Sequence, residues 1–219
     1  MTSDVRISVL GTVPAGGRGF VRDLRVRWAL EEAGIPYAVE KLGFMAERSP
    51  EYLAEQPFGQ VPAYREGDVT LFESGAIVLH IGEKSEALLP RDPRGRGRAI
   101  SWLFAALNSI EPEIWNFMMV GLLYPDQPWR EDARAIRRKQ AQWRLRPLAA
   151  HLADKEWLEG RFTLGDLMLV SVLRALRDSD LLAEFPTLAA YRARGEARPA
   201  FQRALAAQLA DFEDQPAAA

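Results

Sequence analysis

At 219 residues with 48% hydrophobic content, the chain can bury one large core or two modest ones. Lys and Arg total 28 against 30 Asp and Glu, a formal charge of −2 that gives no global field for nucleic acid or an anionic membrane surface. The lack of cysteine rules out disulfides, thiolate metal sites and any step in which the protein itself supplies a nucleophilic sulfur. Only four of the 28 basic residues are lysines, which reads as coding bias rather than a phosphate-binding surface. The start MTSDVRISVL has neither a basic n-region nor a long apolar h-region, and the most apolar run, Ile114 to Tyr124, is about half the ~20 residues that cross a bilayer. A cytoplasmic protein is expected, with no membrane or nucleic-acid partner.

Residues 5–10 (VRISVL) alternate and are β-branched, predicting a strand. After a glycine-rich loop, Leu24, Trp28, Ala29 and Leu30 recur at helical spacing from Val21 onward, with charged residues on the other face and Gly34 and Pro36 closing the element. Residues 37–40 read as a second strand. Ser49-Pro50-Glu51 carries a capping hydroxyl, a first-turn proline and an acid, predicting a short helix to about Glu55. Residues 61–64 and 69–72 are brief apolar runs around a hairpin-type turn containing Gly67, and a helix is predicted from Ser74 to Ile81. The N-terminal unit is therefore βαβ followed by ββα, an α/β fold with a mixed sheet of about four strands.

The run Leu89 to Gly97 concentrates proline, glycine and charge and marks a linker or the start of the next helix. The expected organisation is a first domain over 1–84, a linker and helix start over 85–98, and an all-α domain over 99–219. Helices are predicted over 99–123, 131–152, 163–176, 187–194 and 199–212, with a frayed tail from Gln215 to Ala219.

Gly11, Gly16, Gly17 and Gly19 follow the first strand, yet neither G-x-G-x-x-G spacing nor a closing Lys-Ser/Thr is present, which argues against a nucleotide site. A stronger signal is Gln60-Val61-Pro62, followed eleven residues after the proline by Glu73-Ser74 at a strand-to-helix junction. Pro62 cannot donate to a ladder, so Val61 can offer its N–H and C=O to an extended peptide. Ser74 opens a helix, where free N–H groups, the hydroxyl and the dipole favour a carboxylate, and Glu73 can pair with an amino group. Each feature alone is an ordinary turn proline or helix cap; together they suit a small peptide with an α-amino-acid head.

In this order and spacing, the run from Ser49 through Pro62 and on to Leu71-Phe72-Glu73-Ser74 closely resembles the cytosolic glutathione S-transferase family. The resemblance implies a thioredoxin-like N-terminal domain, an all-helical C-terminal domain, a homodimer and a role in detoxification. It implies glutathione as co-substrate, with Gln60, Val61 and Pro62 at its cysteinyl residue, Glu73 and Ser74 at its γ-glutamyl group, and Arg48 at its glycyl carboxylate. Phe162-Thr163-Leu164-Gly165-Asp166 looks like the family's buried capping box, with a role in folding.

Thiol activation departs from the family's Tyr, Ser or Cys patterns, because the first tyrosine is Tyr37 and no serine lies between Ser8 and Ser49. Anchored on Leu24-Arg-Val-Arg-Trp-Ala-Leu-Glu-Glu32, the helix places Phe20, which cannot donate, where serine-type relatives carry a hydroxyl. The remaining candidates are Thr12, Arg18 and backbone N–H groups from Phe20 to Asp23, with the helix dipole. Trp102, Leu103, Asn108, Trp115 and Met119 are candidates for an electrophile pocket between the domains. His80 and His151 lack metal-ligand spacing, and no metal is expected. The leading expectation is a transferase that conjugates or reduces an apolar electrophile with the glutathione thiolate. The alternatives are a non-catalytic glutathione-binding or scaffold protein of the same fold, and a glutathione-dependent peroxidase.

Overall fold

The computed structural model describes residues 4–212, so the expectation for the tail from Gln215 lies outside the described residues. The chain divides into two compact units, residues 4–88 with 198–212 and residues 89–197.

The first unit is built on a four-stranded sheet in the order β2-β1-β3-β4, from β1 (Val5–Leu10), β2 (Ala38–Leu42), β3 (Ala63–Glu66) and β4 (Val69–Phe72). β1 pairs in parallel with β2, Arg6 opposite Ala38 through Leu10 opposite Leu42, and antiparallel with β3, Val5 opposite Glu66 through Ile7 opposite Tyr64. β3 and β4 form a hairpin with Ala63 opposite Phe72, and Gly67 takes the φ of 54° that a two-residue turn demands. The fold is the mixed-sheet, thioredoxin-like α/β arrangement.

Between β1 and β2 runs α1 (Asp23–Ala33), preceded by a 3₁₀ turn at Ala15–Gly17 that the glycine pattern did not reveal. Gly34 ends α1 with φ 67°, its N–H returning to Leu30 C=O. α2 (Pro50–Glu55) starts on Ser49, whose Oγ accepts from Tyr52 N–H at 3.2 Å, and α3 (Ser74–Glu83) follows β4 directly.

The sequence suggests one apolar and one charged face for α1, yet all of Asp23 through Leu30 is buried. The reason lies far along the chain. The last helix packs along α1: the Trp28 and Phe201 rings meet edge-on at 4.9 Å, and the Arg198 guanidinium grips Glu32 with Nε–Oε1 2.6 Å and Nη2–Oε2 2.9 Å. The expected helical domain over 99–219 therefore loses its last helix to the sheet-bearing unit.

β3 begins two residues later than expected. Pro62 has no N–H, and Val61 and Pro62 both precede the ladder that starts at Ala63. The Val61–Pro62 peptide is cis.

In the second unit α4 (Pro93–Ala105) is capped by Asp92 and runs through a π turn, Ala106–Ile110, into α5 (Glu111–Leu123). α6 (Arg130–His151), α7 (Leu164–Leu173), α8 (Asp180–Ala183) and α9 (Pro186–Glu196) complete it. α8 is a single four-residue turn, too short for a periodic signal. α10 (Pro199–Ala210) is the helix that joins the first unit. α7 buries nearly every residue, as expected of a helix apolar on all sides. Its start is the expected capping box: Thr163 N–H and Leu158 N–H each donate to the Asp166 carboxylate at 2.9 Å, and Tyr191 O–H adds a third bond at 2.8 Å.

Candidate functional site

The site is assembled from three connected pieces of the first unit. The first is the turn Gln60–Pro62. Among the described residues, neither the N–H nor the C=O of Val61 takes part in a backbone hydrogen bond, so one edge of an extended segment is open. The β3–β4 ladder ends at the Ala63–Phe72 pair, so Val61 precedes β3 by two residues and Ser74 follows β4 by two.

A polar relay holds that turn. Tyr52 Oη donates to Gln60 C=O at 2.5 Å, and Ser8 Oγ lies 2.8 Å from Tyr52 Oη while accepting Ala63 N–H at 2.7 Å. Since the Tyr52 proton goes to Gln60, the Ser8 proton must go to Tyr52, and every member of the chain is satisfied. Burial pushes the Tyr52 phenol up despite its bond to Ser8, which keeps it a donor. Ser8 and Tyr52 were not singled out by sequence, where one reads as a strand residue and the other as helix interior.

The second piece is Glu73-Ser74. Glu73 is exposed with φ 68°, an unfavourable region for a residue with a Cβ, and among the described residues its carboxylate makes no hydrogen bond or ion pair. Ser74 opens α3 and is 5% exposed. Beneath it Arg25, 7% exposed, directs Nη1 to Ser74 Oγ at 3.3 Å. Arg25 is a site residue that helical periodicity hides, because its place on α1 reads as surface. It adds a positive charge to a helix N-terminus that already favours an anion.

Arg48 forms the third piece. Its Nε donates to Gly59 C=O at 2.9 Å, and its Nη1 donates to Gly43 and Ala46 C=O at 2.9 and 3.1 Å. These bonds spend most of the guanidinium on bracing two loops beside Gln60, and among the described residues Nη2 makes no hydrogen bond.

The candidates for activation are placed unequally. Thr12 Oγ1 accepts Phe44 N–H at 3.4 Å, which leaves its own proton to give. Arg18 is exposed, its guanidinium 6.0 Å from the centre of the Phe212 ring. Phe20 N–H is spent on Gly17 C=O at 3.0 Å. The Asp23 side chain is wholly engaged: Oδ2 accepts Arg27 Nε at 2.7 Å and Oδ1 accepts Gln208 Nε2 at 2.8 Å. Arg27, 2% exposed, also pairs with Asp211; burial opposes its charge, and Asp23 with Asp211 more than offsets that. Asp23 thus seals the start of α1 with its own carboxylate, and little of the dipole is left for a ligand. Val21 N–H makes no hydrogen bond among the described residues.

The five pocket candidates also separate, with Leu103 buried in the core. Trp102 Nε1 donates to Glu159 Oε1 at 2.6 Å and its ring lies 4.7 Å from that of His151, so its polar edge and one face are used within the helical unit. Asn108 and Trp115 are exposed, the latter at 51%, and Met119 is half-buried. His80 contacts Glu66 at 3.1 Å and His151 contacts Leu158 C=O at 3.0 Å. Among the described residues no group of three or more His, Cys, Asp or Glu could hold a metal ion, and no helix is long and apolar enough to cross a membrane.

Comparison with known proteins places the chain in one family. The family model for the glutathione S-transferase N-terminal domain matches residues 16–83. Glutathione S-transferase 3 of Zea mays is 32% identical over 197 residues, which span 84% of this chain and 88% of the maize protein. A theta class glutathione S-transferase from Xanthomonas axonopodis pv. citri, solved with glutathione bound, superposes with a TM-score of 0.78 at 27% identity, covering 93% of this chain and 98% of that one. A glutathione transferase family member from Pseudomonas fluorescens, with two glutathione molecules bound, gives a TM-score of 0.80 at 25% identity over 92% of both chains. With this likeness extending over most of its length, the chain belongs to the glutathione S-transferase family.

Proposed function

We propose that the protein binds glutathione along Val61 and uses its thiolate against an apolar electrophile, by addition to it or displacement from it. The observation that carries this reading is that, among the described residues, both backbone groups of Val61 are unpaired, at the end of the hairpin from which Ser74 opens α3. A cysteinyl residue laid beside Val61 forms two strand-like hydrogen bonds. The γ-glutamyl carboxylate then meets Ser74, the first N–H groups of α3 and the charge of Arg25, while its ammonium meets Glu73. Arg48 Nη2 takes the glycyl carboxylate. That solved relatives hold glutathione supports the same ligand here.

Activation falls to the segment before α1. Val21 N–H, with the Thr12 hydroxyl, stabilises the thiolate relative to the thiol. The sulfur lone pair forms the new bond to the electrophilic carbon, the leaving group or carbanion takes the displaced pair, and the thiol proton has already passed to solvent. Holding the two reactants together supplies the rest of the acceleration.

Retention on immobilised glutathione tests binding. Ser74→Ala combined with Arg25→Met should weaken it at least ~10-fold, about 1.4 kcal/mol; unchanged retention refutes the placement of the γ-glutamyl group. Ultraviolet titration of bound glutathione tests activation. A thiol pKa equal to that of free glutathione would select a second reading, a glutathione-binding scaffold, which the non-donating Phe20 side chain favours.

A further inference from the structure

Gln208 of α10 is completely buried, and its amide is only half used. Nε2 donates to Val21 C=O at 3.1 Å and to Asp23 Oδ1 at 2.8 Å, whereas Oε1 has no partner among the described residues. An orphaned buried amide oxygen is destabilising, a loss that a methionine of similar shape avoids. Packing between α1 and α10 alone therefore does not explain a glutamine here; its donor side does.

That donor fixes the segment already assigned to the thiol. Val21 C=O receives both Gln208 Nε2 and Leu24 N–H, the latter at 3.0 Å. On the other side, Phe20 N–H is tied to Gly17 C=O. The two peptide planes that flank the Phe20–Val21 peptide are thus both tethered, and the unused Val21 N–H between them has a set direction. Around this point stand Asp23 with Arg27, Asp211 with Lys41, and the exposed Arg18 and Arg22, so the setting is charged and the amide geometry is held by more than the local loop.

We infer that Gln208 is a positioning residue for the reaction, holding from the C-terminal helix the loop peptide whose Val21 N–H stabilises the glutathione thiolate. This rests on the transferase reading above. The C-terminal segment then governs turnover without touching glutathione, through one side-chain amide.

The test compares the full-length parent with Gln208→Met, using glutathione and a chromogenic aryl halide. Retention on glutathione and KM for glutathione should stay within about 2-fold of the parent, while the thermal midpoint falls by a few degrees, because methionine removes the orphaned oxygen but leaves the buried Asp23 Oδ1 without its Gln208 donor. The kcat should fall about 10-fold and the pKa of the bound thiol should rise by about 1, one decade corresponding to 1.4 kcal/mol. A Gln208→Met protein that melts early but keeps the parent's kcat and thiol pKa overturns the inference while leaving the transferase reading intact. A parent that does not lower the thiol pKa overturns both. Should Gln208→Met fail to fold, the amide proton resonance of Val21 in the parent decides: it must shift as the bound thiol titrates, and a resonance indifferent to that titration overturns the inference.

Discussion

Ser8→Ala isolates the relay that shapes the turn proposed to bind glutathione. Ser8 is buried, and its Oγ is the acceptor for Ala63 N–H at the first residue of β3, where the β1–β3 backbone pairing has ended at Ile7–Tyr64. Alanine leaves no cavity of note but strands that buried N–H, at about 1–3 kcal/mol. Taking about 2 kcal/mol, and about 2–4 °C per kcal/mol for a chain of this size, the midpoint of thermal unfolding should fall by about 4–8 °C. Tyr52→Phe is the control. It leaves Ala63 bonded to Ser8 and frees the Gln60 carbonyl, whose residue is exposed and open to water, together with the Ser8 hydroxyl proton, so about 1 kcal/mol is expected, less than for Ser8→Ala. Both variants loosen the edge carrying Val61, and retention on glutathione should weaken several-fold, more for Ser8→Ala. Calorimetry and a retention assay on the same samples measure both effects. A Tyr52→Phe protein less stable than Ser8→Ala would show that the tyrosine, not the serine, anchors the turn.

Asp166→Ala should be among the most damaging single changes, since it strands Leu158 N–H, Thr163 N–H and the buried Tyr191 hydroxyl together. A loss above ~3 kcal/mol by urea unfolding is expected, and one below ~1 kcal/mol would contradict the capping-box role. Acid should reveal Glu66. Lys84, then the His80 and Tyr64 contacts, hold its carboxyl down from 4.5 to about 2. Because the folded value is the lower one, its stabilisation is complete above about 4.5 and disappears as pH falls from there towards 2. Glu66→Gln should lose about 1 kcal/mol at neutral pH, discounted for solvent, and match the parent near pH 2; urea midpoints that stay parallel across that range would refute the assignment.

The elements legible in the sequence are those whose signals are local. A capping hydroxyl with proline starts α2, Gly34 ends α1, Gly67 turns the hairpin, and Thr163 with Asp166 opens α7. The segment from Gln60 to Ser74 was readable as a peptide site for the same reason, because a proline before a strand and a serine at a helix start restrict the backbone wherever they occur. The structure adds to it a serine two strands away, a tyrosine inside α2 and an arginine on the supposedly solvated face of α1. These residues matter through partners 44, 8 and 49 positions distant in sequence, which no periodicity reports.

What the sequence determined by itself, then, is the backbone of the segment proposed to receive glutathione, since that depends on residue types at fixed short spacings. The tertiary structure alone decided the state of the activation loop. Asp23 was removed from the list of available groups, and Val21 N–H left on it, by α10, whose Gln208 and Asp211 reach α1 from nearly the full length of the chain away. Buried polar groups must find partners wherever the fold brings them, and that accounting closes only in three dimensions.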